Sequence, residues 1–279
     1  MDLSKVLMRR QVRCSSLEVY VVSVPYNYNK LMQVIVDNLA VNYELTGSGK
    51  TIVLLHGWGD NHATFNRLIE RLQARFRLLS LDLPGFGGSQ PPLEPWNLDN
   101  YAHFVASLLK KLNITPYAFI GHSNGGALAI RGLSQGVLDA DKLVLLASAG
   151  VRNSQPLKRL TTKTVAKAGK ATTFWLPRDT RQALRRKLYG TIGSDLLVAP
   201  MLEQTFKLTV RQDVQADAEK LTLPTLIINA DHDPAIPLSD GKRFHELIPG
   251  SKLEVLSSTT HFIHQEETPK VATLILGFL

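Results

Sequence analysis

A short glycine-rich turn constrains the fold more than any other stretch of this chain. Residues 121–126 read Gly-His-Ser-Asn-Gly-Gly, with an apolar run at 117–120 before them and a run at helical spacing, 127–131, after them. The pattern G-x-S-x-G between a strand and a helix is typical of turns that expose a serine hydroxyl above a sheet. Gly121 and Gly125 suit such a turn, since side chains there would clash where strand and helix approach. Ser123 is therefore a candidate nucleophile, although a serine after a strand can also be a helix N-cap.

The stretches around this turn alternate between buried strands and amphipathic helices, and this alternation predicts the fold class. The apolar strand-like runs are 52–55, 78–82, 142–147, 224–229 and 252–256, and the helical patterns are 64–72, 99–112, 239–247 and 269–279. Such alternation predicts an α/β fold, with a mostly parallel central sheet and helices on both faces. Two β-rich runs at 33–37 and 39–44 precede it and predict an antiparallel hairpin.

The alternation stops near residue 151 and resumes at 223. We expect an α-helical cap insertion over 151–222, so that the core consists of 32–150 and 223–279. Apolar residues of the insertion are expected to line an acyl pocket or to form the core of the cap: Phe174, Trp175, Leu188, Tyr189 and Met201.

The insertion also carries the basic character of the chain. Residues 151–190 contain eleven Lys and Arg and one acid, Asp179, whereas the whole chain has a net charge of +8. A cluster confined to one segment indicates a local anionic contact or a solvated helix face, and it disfavours a nucleic-acid-binding protein.

Residues 1–31 fit poorly with the pattern that follows, and we assign them to an N-terminal extension. They are either an extra strand with an arm, which we favour, or a stretch upstream of the natural start. A faint resemblance to a signal peptide is interrupted by Glu18, and no apolar run reaches the roughly 18 residues of a membrane span. The single cysteine, Cys14, excludes an internal disulfide framework. We expect a cytoplasmic protein.

A nucleophilic serine needs a base within hydrogen-bond reach and a carboxylate that orients the base. Asp233 follows the strand at 224–229, and His261 follows the strand at 252–256, so both lie at the sheet edge where Ser123 is expected. Asp231 is a close rival for the acid, and His264 is the next candidate for the base.

Five motifs in this order resemble the α/β-hydrolase family, and within it the capped esterases and meta-cleavage-product C–C hydrolases. The resemblance covers about 33–279 and is highly specific. The motifs are His56-Gly57-Trp58-Gly59, the Asp-Leu-Pro-Gly-Phe-Gly-Gly-Ser run at 82–89, the turn at 121–126, Asp233-Pro234-Ala235-Ile236-Pro237 and His261-Phe262.

The resemblance implies a catalytic triad of Ser123 as nucleophile, His261 as general base and acid, and Asp233 as orienting carboxylate. Asp233 is preferred over Asp231 because the family's acid precedes the matching proline by four positions. The backbone N–H groups of Trp58 and Asn124 would form the oxyanion hole.

His56 and Asp82 are interpreted as structural residues that hold loops through hydrogen bonds. Trp58 can be a core aromatic as well as a backbone donor.

Two reactions fit this resemblance. The first is a carboxylesterase that cleaves small soluble esters through an acyl-enzyme. The alternative is a C–C hydrolase of meta-cleavage products, and both activities can coexist. His122 stands where those C–C hydrolases usually carry Asn, and Phe262 where they carry Trp, which favours the esterase. Dehalogenases and epoxide hydrolases are disfavoured, because they need Asp at the nucleophile position, where this chain has Ser123. A non-catalytic ligand-binding protein is disfavoured, because all three triad positions are occupied.

The expected partner is a small-molecule ester. We expect no metal and no organic cofactor, since the eight histidines show no ligand spacing with cysteine or carboxylate partners. We also expect no nucleic-acid partner and no stable membrane insertion, and we leave a homodimer open.

Overall fold

The structure is a computed structural model that describes residues 31–152 and 202–279. The N-terminal extension up to Lys30 lies outside the described residues. So does most of the expected cap, including its five apolar residues and, apart from Arg152, its basic cluster. Within the described residues, no helix is long and apolar enough to cross a membrane.

Eight strands form one sheet in the order β1-β2-β4-β3-β5-β6-β7-β8. In chain order they are β1 Met32–Val36, β2 Leu39–Thr46, β3 Thr51–Leu55, β4 Arg77–Leu81, β5 Pro116–His122, β6 Lys142–Leu146, β7 Thr225–Ala230 and β8 Lys252–Leu256. β1 pairs antiparallel with β2, and β2 pairs antiparallel with β4. All pairs from β4 through β8 are parallel, so the prediction of a mostly parallel sheet is confirmed.

The hairpin between β1 and β2 turns without glycine. Asp37 and Asn38 both have positive φ, 48° and 64°. A two-residue hairpin turn with positive φ at both positions matches the twist of the flanking strands, and Asn and Asp tolerate this conformation better than other side chains.

Helices cover both faces of the sheet. They are α1 Asn66–Leu72 after a 3₁₀ turn at His62–Phe65, α2 Leu98–Leu112, α3 Asn124–Ser134, α4 Glu203–Arg211, α5 Gln215–Ala218, α6 Leu238–Leu247, α7 Ile263–Glu266 and α8 Thr268–Phe278. The well-defined start of α2 has a local cause, since Asn97 and Asn100 form a reciprocal capping box.

Two hydrophobic layers result from the alternation of side chains along the strands. Val53 and Leu55 of β3 pack in the layer that contains α2, α3 and part of α6. Ile52 and Leu54 of the same strand pack in the layer of α1 and α8. A strand that buries both of its faces reads as a continuous apolar run, and this explains why the central strands could be predicted.

Some boundaries differ from the sequence prediction. β5 continues to His122, so the residue before Ser123 still belongs to the strand. The helix predicted at 64–72 begins as a 3₁₀ turn and becomes α-helical only at Asn66. α7 was not predicted, because its four residues are too few to show a helical period.

Candidate active site

Ser123 lies between the end of β5 and the start of α3, in a strained backbone conformation. Its φ is 52° and its ψ is −119°, a combination that residues with a side chain rarely adopt. The surrounding main chain holds it in place. Its N–H donates to the carbonyl of Leu146 at 3.0 Å, and its own carbonyl accepts from Gly126 and Ala149, each at 3.0 Å.

The two glycines of the turn are required by close backbone contacts. A Cβ atom at Gly121 would lie 2.5 Å from the Cα of Gly126, and one at Gly125 would lie 2.1 Å from the carbonyl oxygen of Leu55. Both distances are too short for any side chain, which confirms the steric role that the sequence predicted for these glycines.

Asp233 and His261 meet at the carboxyl edge of the sheet. The Nδ1 atom of His261 lies 2.7 Å from Oδ2 of Asp233, whose side chain is fully buried. The other oxygen, Oδ1, accepts from the backbone N–H groups of Ala235 and Ile236 at 2.7 and 2.8 Å. Because an ionised carboxylate can only accept, Nδ1 of His261 carries a proton. In the neutral ring, Nε2 then has a free lone pair.

The loop of His261 is in contact with the turn of Ser123. The rings of His122 and His261 have centroids 4.7 Å apart, and Nε2 of His122 lies 3.0 Å from the carbonyl oxygen of His261. The structure therefore brings Ser123, Asp233 and His261 to one edge of the sheet, on the loops after β5, β7 and β8.

The rival candidates, Asp231 and His264, have other partners. Asp231 contacts the adjacent His232, with Oδ1 2.6 Å from Nδ1. His264, the second candidate for the base, is fully buried, and its Nε2 lies 2.9 Å from the hydroxyl of Thr64. His264 contacts the His122 ring at a centroid distance of 4.5 Å, so it borders the site.

Trp58 and Asn124, the predicted oxyanion-hole residues, belong to segments that adjoin Ser123. Asn124 is the first residue of α3, and a first-turn N–H has no partner within its own helix. Trp58 follows Gly57, where a Cβ atom would lie 3.1 Å from the Cβ of Ser123. The indole of Trp58 is buried against Phe86 and Phe206, so the residue is also a core aromatic.

His56 holds the loop of Trp58 in place. Its Nδ1 donates to the carbonyl of Gly57 at 2.7 Å, and its Nε2 accepts from the backbone N–H of Leu83 at 2.9 Å. Burial lowers the pKa of His56, so the ring stays neutral and can serve one donor and one acceptor at once.

Asp82 plays a comparable structural part. Its Oδ1 lies 2.7 Å from both the backbone nitrogen and Nδ1 of His62, and its Oδ2 accepts from the backbone of Gly88 at 2.8 Å. These bonds join the loops after β3 and β4, and they agree with the structural roles expected for His56 and Asp82.

Two imidazoles beside the site, those of His122 and His264, are buried, and the sequence did not predict their burial. Burial, together with the neighbouring His264 and His261, lowers the pKa of His122 far below its usual value. Burial and the proximity of His261 lower the pKa of His264 to about 3. Both rings are therefore neutral at pH 7. Among the described residues, no group of three or more His, Cys, Asp or Glu side chains is arranged to hold a metal ion.

Comparisons with known proteins agree with this architecture. A model of the alpha/beta hydrolase family matches residues 52–274. The AB hydrolase superfamily protein YisY of Bacillus subtilis is 28% identical over 270 residues, which cover 87% of this chain and 96% of that protein. A pimeloyl-(acyl-carrier protein) methyl ester esterase of Nitrosomonas europaea is 26% identical over 244 residues, with 80% and 92% covered.

Among solved structures, a meta-cleavage product hydrolase from Pseudomonas fluorescens superimposes with a TM-score of 0.66 at 22% identity, covering 88% of this chain and 96% of that one. At this level of identity the likeness concerns the fold.

Proposed function

The chain belongs to the alpha/beta hydrolase family, and we propose that it is a serine carboxylesterase that cleaves small soluble carboxylic esters through an acyl-enzyme. The observation that carries the proposal is the 2.7 Å contact between Nδ1 of His261 and Oδ2 of Asp233, on loops beside the strained Ser123. The similarity to a methyl ester esterase of Nitrosomonas europaea supports an ester as the substrate class.

In the proposed acylation step, the Ser123 hydroxyl oxygen attacks the carbonyl carbon of the ester and its proton passes to Nε2 of His261. Asp233 keeps the proton of His261 on Nδ1 and stabilises the imidazolium that forms. The tetrahedral intermediate then loses the alcohol: the bond between carbon and alkoxy oxygen breaks, and His261 returns the proton to that oxygen.

Deacylation repeats these transfers with water. His261 removes a proton from water, whose oxygen attacks the acyl carbon, and the acid leaves as the proton returns to Ser123. In both steps the backbone N–H groups of Trp58 and Asn124 would donate to the oxyanion. A single donor of this kind contributes roughly 100- to 1000-fold in rate.

Cleavage of a C–C bond in meta-cleavage products is the second candidate. The Gly-Gly-Ala-Leu-Ala run at 125–129 and the Ser148-Ala149-Gly150 segment after β6 resemble those hydrolases. His122 and Phe262 depart from their usual pattern, and the ester reaction is therefore our first choice.

The decisive assay measures hydrolysis of p-nitrophenyl esters from acetate to palmitate, beside bleaching of a dienolic meta-cleavage product, with wild type and Ser123→Ala. We expect turnover of short esters that falls by about 10⁶-fold in the variant. Bleaching of the dienolate without ester turnover would replace the proposal with C–C hydrolysis. Inactivity on both would favour a ligand-binding protein.

Asp231 offers a matched control for the role of Asp233. Asp233→Asn should lower kcat by about 10⁴-fold, because the amide no longer fixes the tautomer of His261. Asp231→Asn makes the same chemical change in the same loop, but the side chain of Asp231 contacts His232 and not His261. The kcat of this variant should therefore stay near that of wild type. Equal losses in the two variants would contradict the assignment of Asp233.

A further inference from the structure

His122 makes a side-chain contact that connects the turn of Ser123 to the main chain of His261. Its Nε2 lies 3.0 Å from the carbonyl oxygen of His261, across 139 residues of sequence. A carbonyl oxygen can only accept, so Nε2 must carry the proton and donate it. This bond thereby fixes the tautomer of His122 with Nδ1 unprotonated.

The surroundings keep the ring in this single state. His122 is buried, and its pKa lies well below the usual value because of burial and of the rings of His264 and His261. Its Nδ1 has no hydrogen-bond partner among the described residues. Nδ1 faces the main chain of Gly57, where a Cβ atom would come within 3.1 Å of it. The ring is thus closely confined, and within the described part of the chain its hydrogen bond goes to His261.

We propose that His122 is a positioning residue. Its hydrogen bond to His261 sets the distance between the main chain of His261 and Ser123, the residue that follows His122. The inference rests on the proposed function, because position matters here only if His261 exchanges a proton with Ser123. His122 precedes Ser123 directly and belongs to β5, the strand that ends there. One hydrogen bond therefore links the side chain of the residue before the nucleophile to the backbone of the base.

The proposal differs from a packing role, in which any side chain of similar volume would serve. Gln and Met provide the comparison, since both are unbranched and of similar length. Only Gln carries an N–H donor that can reach the carbonyl of His261. A displacement of about 1 Å in a reacting group can cost about 100-fold in rate. Loss of this donor should therefore lower kcat and leave KM unchanged.

The experiment measures kcat and KM for a short p-nitrophenyl ester in wild type, His122→Gln and His122→Met, after far-UV circular dichroism has established folding. We expect His122→Met to have a kcat about 10- to 100-fold below that of His122→Gln, with equal KM. If His122→Met does not fold, His122→Asn takes its place, since its amide is one methylene too short to reach the carbonyl. Equal kcat values in the Gln variant and its comparison variant would overturn the proposal.

A second measurement does not depend on turnover. The proton between Nδ1 of His261 and Asp233 should give a low-field NMR resonance in wild type and in His122→Gln, and a weaker or absent one in His122→Met. If wild type cleaves no ester, the proposed function fails, and the resonance still shows whether His122 holds His261 in place. An unchanged resonance in His122→Met would refute the positioning role.

Discussion

The buried His264 should make the stability of the protein depend on pH in a way that a single substitution can reveal. The ring is fully buried against Phe65 and His122, and its Nε2 lies 2.9 Å from the hydroxyl of Thr64. Burial and the proximity of His261 lower its pKa from 6.5 to about 3 in the folded protein. Between these two values the unfolded chain binds a proton that the folded protein does not.

The sign and size of the effect follow from proton linkage. The free energy of unfolding rises with pH wherever the unfolded state binds more protons, so acid destabilises the fold as pH falls below 6.5. Each pH unit costs about 1.4 kcal/mol for one such group, which gives about 2 kcal/mol between pH 6.5 and pH 5. His56 and His122 act in the same direction, because their pKa values are also lowered by burial.

Two carboxyl groups oppose this trend. Burial raises the pKa of Glu44 and of Asp240, so the folded protein binds these protons more tightly than the unfolded chain. The pH dependence of wild type is therefore a sum of opposite contributions. A difference between wild type and a variant at one position isolates the contribution of His264.

His264→Phe keeps an aromatic ring beside Phe65 and removes the titrating group. We expect the variant to be less stable by about 1 kcal/mol at pH 7.5, because the bond to Thr64 is lost. Its slope against pH should be smaller by about 1.4 kcal/mol per unit below pH 6.5. The two stability curves should therefore cross between pH 6.5 and pH 5.

Urea unfolding at half-unit steps from pH 5 to pH 7.5 measures these curves. Ile263→Val is the control, since Ile263 is a fully buried neighbour without a titrating group. It should lower the free energy of unfolding by about 1 kcal/mol at every pH. Parallel curves for wild type and His264→Phe would refute the reasoning.

Two further substitutions test other parts of the structure. Gly57→Ala would place a Cβ atom 3.1 Å from the Cβ of Ser123, and we expect kcat for a short ester to fall at least about tenfold, because reacting groups tolerate little displacement; unchanged kcat would contradict the close contact. Glu44→Gln should raise Tm at pH 8, because burial disfavours the ionised carboxylate of Glu44. At pH 4 the folded protein holds this carboxyl group protonated, and Tm should be nearly unchanged. A lower Tm of the variant at pH 8 would show that the charge is stabilising.

The sequence could place Asp233 and His261 because both follow apolar strands, and parallel strands bring their carboxyl ends to the same edge. The position after the strand left Asp231 open as a rival, and only the resemblance, through the spacing to Pro237, favoured Asp233. The structure separates the two through local geometry: the turn after Asp233 directs the N–H groups of Ala235 and Ile236 at its Oδ1, and Oδ2 is left for His261.

The role of His264 could not be predicted, because its burial depends on contacts far away in sequence. Its partner Thr64 is 200 residues distant, and α7 has too few residues to reveal a buried face. The same holds for His122, whose partner is 139 residues away. A residue pattern shows which groups lie at the sheet edge, but the hydrogen bonds between those groups arise from the packing of separate loops.

The conformation of Ser123 provides a final prediction that separates stability from activity. For a residue with a side chain, the conformation at φ 52° and ψ −119° costs of order 1–3 kcal/mol. Main-chain hydrogen bonds to Leu146, Gly126 and Ala149 hold Ser123 in this conformation. The side chain caps no helix N–H, so its removal breaks no such hydrogen bond.

Two variants at this position differ in whether they keep the strain. Ser123→Ala keeps a Cβ atom and therefore keeps the strain, whereas Ser123→Gly relieves it. Part of that gain is offset by about 0.5–1 kcal/mol of backbone entropy in the unfolded chain. Both variants should be inactive, and urea unfolding should find Ser123→Gly more stable than Ser123→Ala by about 1 kcal/mol. The opposite order would mean that the turn stores no strain and that its geometry is not imposed on the serine.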